Sequence, residues 1–176
     1  MQIPLISTVE LRSLINENNC HIIDVRTSEA YNGWSLKEES RGGHIKGART
    51  LPTKWTTYMD WIEIVRSKGL LPKNQIILYS YDIEESKSVA NFFVKAGYLN
   101  IKIYDQFVEE WSSDADLPME KLERFKQLVS ADWVNSIISD GKAQHFDNDK
   151  FVIVHAHYRN RNAYLSGHIP TAIDMD

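Results

Sequence analysis

Two stretches of this chain copy one another, and no other feature constrains its fold as tightly. Leu5-Ile6-Ser7-Thr8-Val9-Glu10-Leu11 opens a segment to Ile15 that matches Leu128-Val129-Ser130-Ala131-Asp132-Trp133-Val134 and on to Ile138, at an offset of 123 residues. Gly43-His44-Ile45-Lys46-Gly47-Ala48 matches Gly167-His168-Ile169-Pro170-Thr171-Ala172 at an offset of 124. Self-similarity at one period marks a repeated folding unit. The first copy then occupies residues 1–122 and the second 123–176, and the second stops where the first has only reached Pro52. A parallel sheet short of its later strands would expose long apolar edges, which folded chains avoid. The sequence therefore reads as a truncated piece of a longer protein.

Within each copy, short apolar runs alternate with helical patterns. The runs are His21–Val25, Gln75–Tyr79, Ile101–Tyr104 and Phe151–Val154. They are rich in Ile and Val without strict alternation, as strands buried on both faces are. Amphipathic stretches over Thr8–Asn16, Trp55–Lys68 and Glu85–Ala96 predict helices. Ser7 or Thr8 is placed to cap the first, and Gly69 and Gly97 follow the second and third where a left-handed C-cap residue belongs. The expected fold class is α/β, with a mostly parallel sheet, helices on both faces and an incomplete second copy.

Charge and cysteine usage exclude several functions. The chain carries 24 acidic against 20 basic residues, for a net charge of -4, which is the wrong sign for a dedicated nucleic-acid binder. No apolar run approaches the roughly 18 residues of a membrane span, so neither nucleic acid nor membrane is an expected partner. The N-terminus has no basic region ahead of its short apolar stretch and reads as no signal peptide. Cys20 is the one cysteine, so any thiol chemistry in this chain uses it or does not happen.

Ile23-Asp24-Val25-Arg26, the turn Gly43-His44-Ile45-x-Gly47-Ala48, and the strand Ile76-Ile77-Leu78-Tyr79 running into a loop and helix resemble a rhodanese-like (sulfurtransferase) domain. Tyr104-Asp105-Gln106, Trp111 and Leu117-Pro118 resemble that family's end, with Gln106-Phe107 in place of the usual Gly-Gly. Tyr31-Asn32-Gly33-Trp34 and the junction Phe125–Val129 are most similar to bacterial three-domain thiosulfate sulfurtransferases. The resemblance implies a three-layer fold and a cysteine thiolate that takes sulfane sulfur as a persulfide. It also implies a downstream rhodanese domain of the same parent chain as partner, no cofactor, and an exported, periplasmic protein. Without the three-domain likeness a cytoplasmic one is expected. The incomplete second domain is a further route to self-association.

The family's reactive loop follows the pattern Cys-x-x-Gly-x-Arg-Ser after its strand. Here the loop reads Ser80-Tyr81-Asp82-Ile83-Glu84-Glu85-Ser86: Ser80 stands for the cysteine, Ile83 for Gly and Glu85 for Arg. A serine cannot carry a persulfide, and its hydroxyl stays protonated without an adjacent base. Asp82, Glu84 and Glu85 are expected to line the site and repel a dianion. No catalytic residue is therefore assigned, and a structural or interaction role within a thiosulfate sulfurtransferase follows. The alternative is activity of this segment itself through Cys20 or another nucleophile. Asp24 and Arg26 are expected to brace the loop. Gly43, His44 and Gly47, with Gly167 and His168 in the second copy, are expected to be structural. His155-x-His157 places two imidazoles on one side of a strand, but without further ligands no metal site is assigned.

Overall fold

The computed structural model describes residues 3–143, 146 and 150–176. The chain divides after Gln127 into two compact units.

In the first unit, α1 (Thr8–Leu14) starts at a capping box, in which Ser7 and Glu10 each bond the other's backbone N–H. Then come β1 (Cys20–Asp24), α2 (Ser28–Asn32), β2 (His44–Ile45) and β3 (Arg49–Thr50). A 3-10 turn (Thr53–Thr57), α3 (Trp61–Ser67), β4 (Gln75–Tyr79), α4 (Ile83–Lys95) and β5 (Ile101–Tyr104) follow. A π-helical turn (Phe107–Trp111) and β6 (Met119–Glu120) precede a last 3-10 turn, Phe125–Gln127. The central sheet is parallel, in the order β3-β1-β4-β5.

β4 is buried on both faces, and period-two alternation sends its side chains alternately to two cores. On β4, Ile76 and Leu78 join a core with Val65, Val89 and Phe93 beneath α3 and α4. Ile77 and Tyr79 face the opposite core with Leu11, Phe107 and Trp111, beneath α1 and the π-helical turn. Both faces are buried and the unit has three layers, as the resemblance implies. Gly69 (φ +82°) and Gly97 (φ +92°) are left-handed just past α3 and α4.

The expected helix over Trp55–Lys68 is broken in two. Thr56 and Thr57 donate their hydroxyls back to the carbonyls of Thr53 and Lys54, both at 2.7 Å, and Tyr58 is extended. Threonine hydroxyls that compete in this way favour turns over helix. The other helices shift only at their ends: α1 stops at Leu14, and α4 starts two residues early.

In the second unit, Ser130 caps α5 (Ala131–Asp140), accepting from the Trp133 N–H at 3.1 Å. β7 (Val154–Ala156) and β8 (Ile173–Met175) pair in parallel, with α6 (Arg161–Ser166) between them in sequence. The strand expected over Phe151–Val154 thus lies further on. Only residues opposite β8 find ladder partners, from the Ile153 carbonyl to the His157 N–H.

Close backbone approach excludes a side chain at Gly42, since a Cβ there would overlap the Gly33 carbonyl. Gly47 (φ +76°) has open space instead. Gly42→Ala is expected to cost more than about 2 kcal/mol, and Gly47→Ala about 1 kcal/mol from left-handed strain alone. Urea unfolding followed by tryptophan fluorescence checks the ranking.

Candidate functional site

The loop at the C-terminal end of β4 turns directly into α4. Asp82 caps that helix, its carboxylate accepting the Glu84 N–H at 2.9 Å. Ile83 opens the helix with ordinary negative φ and packs against the core. Ser80 is buried, and its hydroxyl donates to Glu85 Oε2. Thr53 Oγ1 donates to the other oxygen of the same carboxylate at 2.7 Å. Glu84 turns away and pairs with Lys87 at 2.6 Å on the exposed side of α4.

This geometry corrects the expectation that three carboxylates line the loop. Glu85 alone meets Ser80. Asp82 is engaged by the helix it starts, and Glu84 lies one helical position round. Ser86, buried one position further along α4, has no hydrogen-bond partner for its hydroxyl.

Beneath the loop lies a buried ion pair. Arg26 Nε donates to Asp24 Oδ1 at 2.9 Å and Nη2 to Oδ2 at 2.6 Å, in the bidentate arrangement. Tyr79, the residue before Ser80, donates its hydroxyl to Asp24 Oδ2 at 2.7 Å and accepts from the Ile45 N–H at 3.1 Å. Arg26 Nη2 also reaches the Gly43 carbonyl at 2.6 Å, and the guanidinium lies over Phe107, 4.1 Å from the ring centroid. Burial opposes the charge on Arg26, but Asp24, Tyr79 and Tyr81 outweigh it and hold the pKa above its usual value. Burial foremost, with Asp24 beside it, pushes the Tyr79 phenol well above 10. Tyr81 donates to Glu39, whose carboxylate also accepts the N–H groups of Leu36 and Lys37.

Glu39, Arg41 and Thr53 escaped sequence reasoning. Arg41 donates to the carbonyls of Trp111 at 2.7 Å, Ser112 at 2.9 Å and Leu117 at 3.1 Å, and also to that of Asp114. For Glu39 and Arg41 the available signal was charge within the run 37–41; for Thr53 the sequence carries none.

The two Gly-His-Ile turns share one local geometry. His44 stacks on Tyr31 at 3.7 Å, its Nδ1 lies 2.7 Å from the Tyr31 carbonyl, and the Tyr31 hydroxyl donates to Ala48. In the second unit His168 stacks on Tyr164 at 3.9 Å, Nδ1 is 2.9 Å from the Tyr164 carbonyl, and the Tyr164 hydroxyl donates to Ala172. Gly43 must lack a side chain because a Cβ would overlap the Glu120 carbonyl, and the Gly47 N–H donates to Glu120 Oε2 at 3.1 Å. Gly167 ends α6 in extended backbone, while Thr171 (φ +69°) takes the left-handed position that Gly47 holds in the first unit. His157 bonds Asp174 at 2.6 Å, with Arg161 on the same carboxylate at 2.9 Å. The described residues contain no group of three or more metal-ligating side chains.

Cys20 begins β1, away from any loop-to-helix turn. Burial, reinforced by Glu17, pushes its thiol up to about 11. At neutral pH the nucleophilic thiolate is scarce.

Alkylation of Cys20 by iodoacetamide should therefore rise about tenfold per pH unit from pH 7 and level off only near pH 11. A plateau at or below pH 9 would contradict the burial argument. Removing members of the ion-pair network should cost stability in order. Arg26→Met leaves Asp24 buried and unpaired, an expected loss of about 3–5 kcal/mol. Tyr79→Phe removes one donor and is expected to cost about 1–3 kcal/mol. Denaturant midpoints measure both.

Comparison with known proteins is consistent with this architecture. Thiosulfate sulfurtransferase YnjE of Escherichia coli (strain K12) is 26% identical over 165 residues, covering 92% of this chain and 37% of the relative. Among solved structures, an EanB variant in complex with hercynine is 47% identical with a TM-score of 0.82, covering 99% of this chain and 41% of that one. Another, with ergothioneine covalently linked with a persulfide cysteine, superposes with a TM-score of 0.81. The chain thus spans about two fifths of the length of these relatives. No helix among the described residues is long and apolar enough to cross a membrane. The rhodanese-like domain profile matches residues 7–114, more than half of the sequence, and the chain belongs to that family.

Proposed function

We propose that the first unit is a non-catalytic rhodanese-like module of a longer sulfurtransferase, whose reacting cysteine lies in another domain of the parent chain. One observation carries this reading: the side chain at the nucleophile position is a hydroxyl, bonded to a carboxylate, Glu85. A hydroxyl cannot hold sulfane sulfur. Glu85 also stands where an anion would have to enter, and a like-charge pair at about 4 Å costs about 1 kcal/mol even in water.

The likeness to EanB, at 47% identity, is nearer than that to YnjE, at 26%. This supports a parent that handles hercynine and ergothioneine by way of a cysteine persulfide, ahead of one committed to thiosulfate. The matching His-Tyr geometry supports reading residues from Leu128 onward as the opening of a second rhodanese-like domain. Val152, Val154, Ile173 and Met175 are exposed there. Such apolar surface favours packing against a sister domain of the parent, or against a second copy of this chain.

The test uses the 176-residue chain. Incubated with thiosulfate and cyanide, it should release thiocyanate no faster than buffer, and its intact mass should gain no sulfur atom. Turnover above buffer that disappears in Cys20→Ser would overturn the module reading.

Restoring the thiol alone should not restore chemistry. In Ser80→Cys the new thiol faces Glu85, which disfavours its thiolate. Ser80→Cys, Ile83→Gly and Glu85→Arg together should exceed Ser80→Cys alone by about tenfold or more in thiosulfate turnover, with a lower thiol pKa. Equal turnover in the two variants would refute the role given to Glu85.

A further inference from the structure

We infer that the first unit holds a binding site for an aromatic anion, separate from the degenerate loop and independent of sulfur transfer. Between α3 and the β1–β3 edge of the sheet lies a cavity of about 500 Å³. This space is a half-open cleft bordered by the exposed residues Tyr58 and Ile64, and its volume is within the range that small ligands occupy.

Its walls say what fits. Trp55, Tyr58 and Trp61 line it, above a floor of Ile23, Leu51 and Val65. Trp61 is braced edge-on by Phe93 at 5.3 Å and Phe92 at 6.3 Å, so one wall is preformed. Aromatic walls favour a flat ring system, which gains from offset or edge-to-face contact.

The polar groups select charge. Among the described residues, the Lys, Arg, Asp or Glu side chains lining the cavity are Arg49 and Lys68, and both are cations. Arg49 donates to the Lys68 carbonyl at 2.7 Å, which holds the two residues at one rim. Thr50 also lines the cavity, and its Oγ1 is buried without a hydrogen-bond partner. That hydroxyl is sealed from solvent, so the preference for an anion rests on Arg49 and Lys68. The ligand class is thus a fused or linked aromatic ring system bearing one acidic group.

The probe is 8-anilinonaphthalene-1-sulfonate, with uncharged N-phenyl-1-naphthylamine as its control. Titrated into the full chain, the sulfonate should bind at one site, quench tryptophan emission and bind more tightly than the neutral compound. Arg49→Gln with Lys68→Gln should weaken the sulfonate about fivefold or more while leaving the neutral compound unchanged. Ile64→Trp fills the cavity from its half-exposed wall and should abolish binding of both. Both charged residues are exposed, so the double variant tests the site even if Ile64→Trp fails to fold. The inference is overturned by absence of sulfonate binding, by equal affinity for the two probes, or by a double variant that binds as the parent does. Binding that survives in a folded Ile64→Trp places the probe elsewhere and overturns it as well. None of these outcomes bears on thiocyanate release, so this inference and the module reading fail separately.

Discussion

A guanidinium sealed among aromatic rings can persist only if its charge is answered, and the Asp24–Arg26 pair meets that requirement with two parallel hydrogen bonds. The pair joins parts of the chain that are otherwise distant. Asp24 takes the hydroxyl of Tyr79 at the end of β4, and Arg26 takes the carbonyl of Gly43 ahead of β2. An isolated buried ion pair contributes little net stability, because desolvation offsets most of the attraction. Its worth is specificity. Displacing β1, β4 or the Gly43 turn from this arrangement would take away a partner of the pair. The position of Ser80 follows from that arrangement, since it comes directly after Tyr79.

On this frame the loop has exchanged one kind of electrostatics for another. In the rhodanese family the turn into the helix is built to hold an anion. Here Glu85 supplies a carboxylate of the protein's own, with hydroxyls of Ser80 and Thr53 as donors. The carboxylate is answered from within the unit.

Much of this was legible in the residues. The four strands of the central sheet include the three apolar runs expected of the first unit, because a strand buried on both faces leaves an unmistakable block such as Ile76-Ile77-Leu78-Tyr79. The loop position followed from counting past that block. What escaped depended on contacts distant in sequence or on facing. Asp82, Glu84 and Glu85 look alike as a run of acids, and only the helix start at Ile83 decides which one turns inward. Arg41 reaches carbonyls 70 residues away or more, and no local period announces such a contact. The break before α3 arose from two threonine hydroxyls, against an apolar pattern that read as continuous helix.

The paired tyrosine–histidine stacks bear on how such a domain acquires loops. In the first unit the stacked partners are 13 positions apart, and in the second they are 4 apart, yet the contacts are the same. The stack works as a clasp that fixes both ends of whatever chain lies between. Once the ends are fixed, lengthening the segment costs only the slow logarithmic growth of loop-closure entropy, about 0.6 kcal/mol per doubling. The excursion carrying Glu39 and Arg41 is thus a cheap insertion behind a clasp. Glu39 and Arg41 then tie that excursion back to the unit, through Tyr81 and through the carbonyls of Trp111, Ser112 and Leu117.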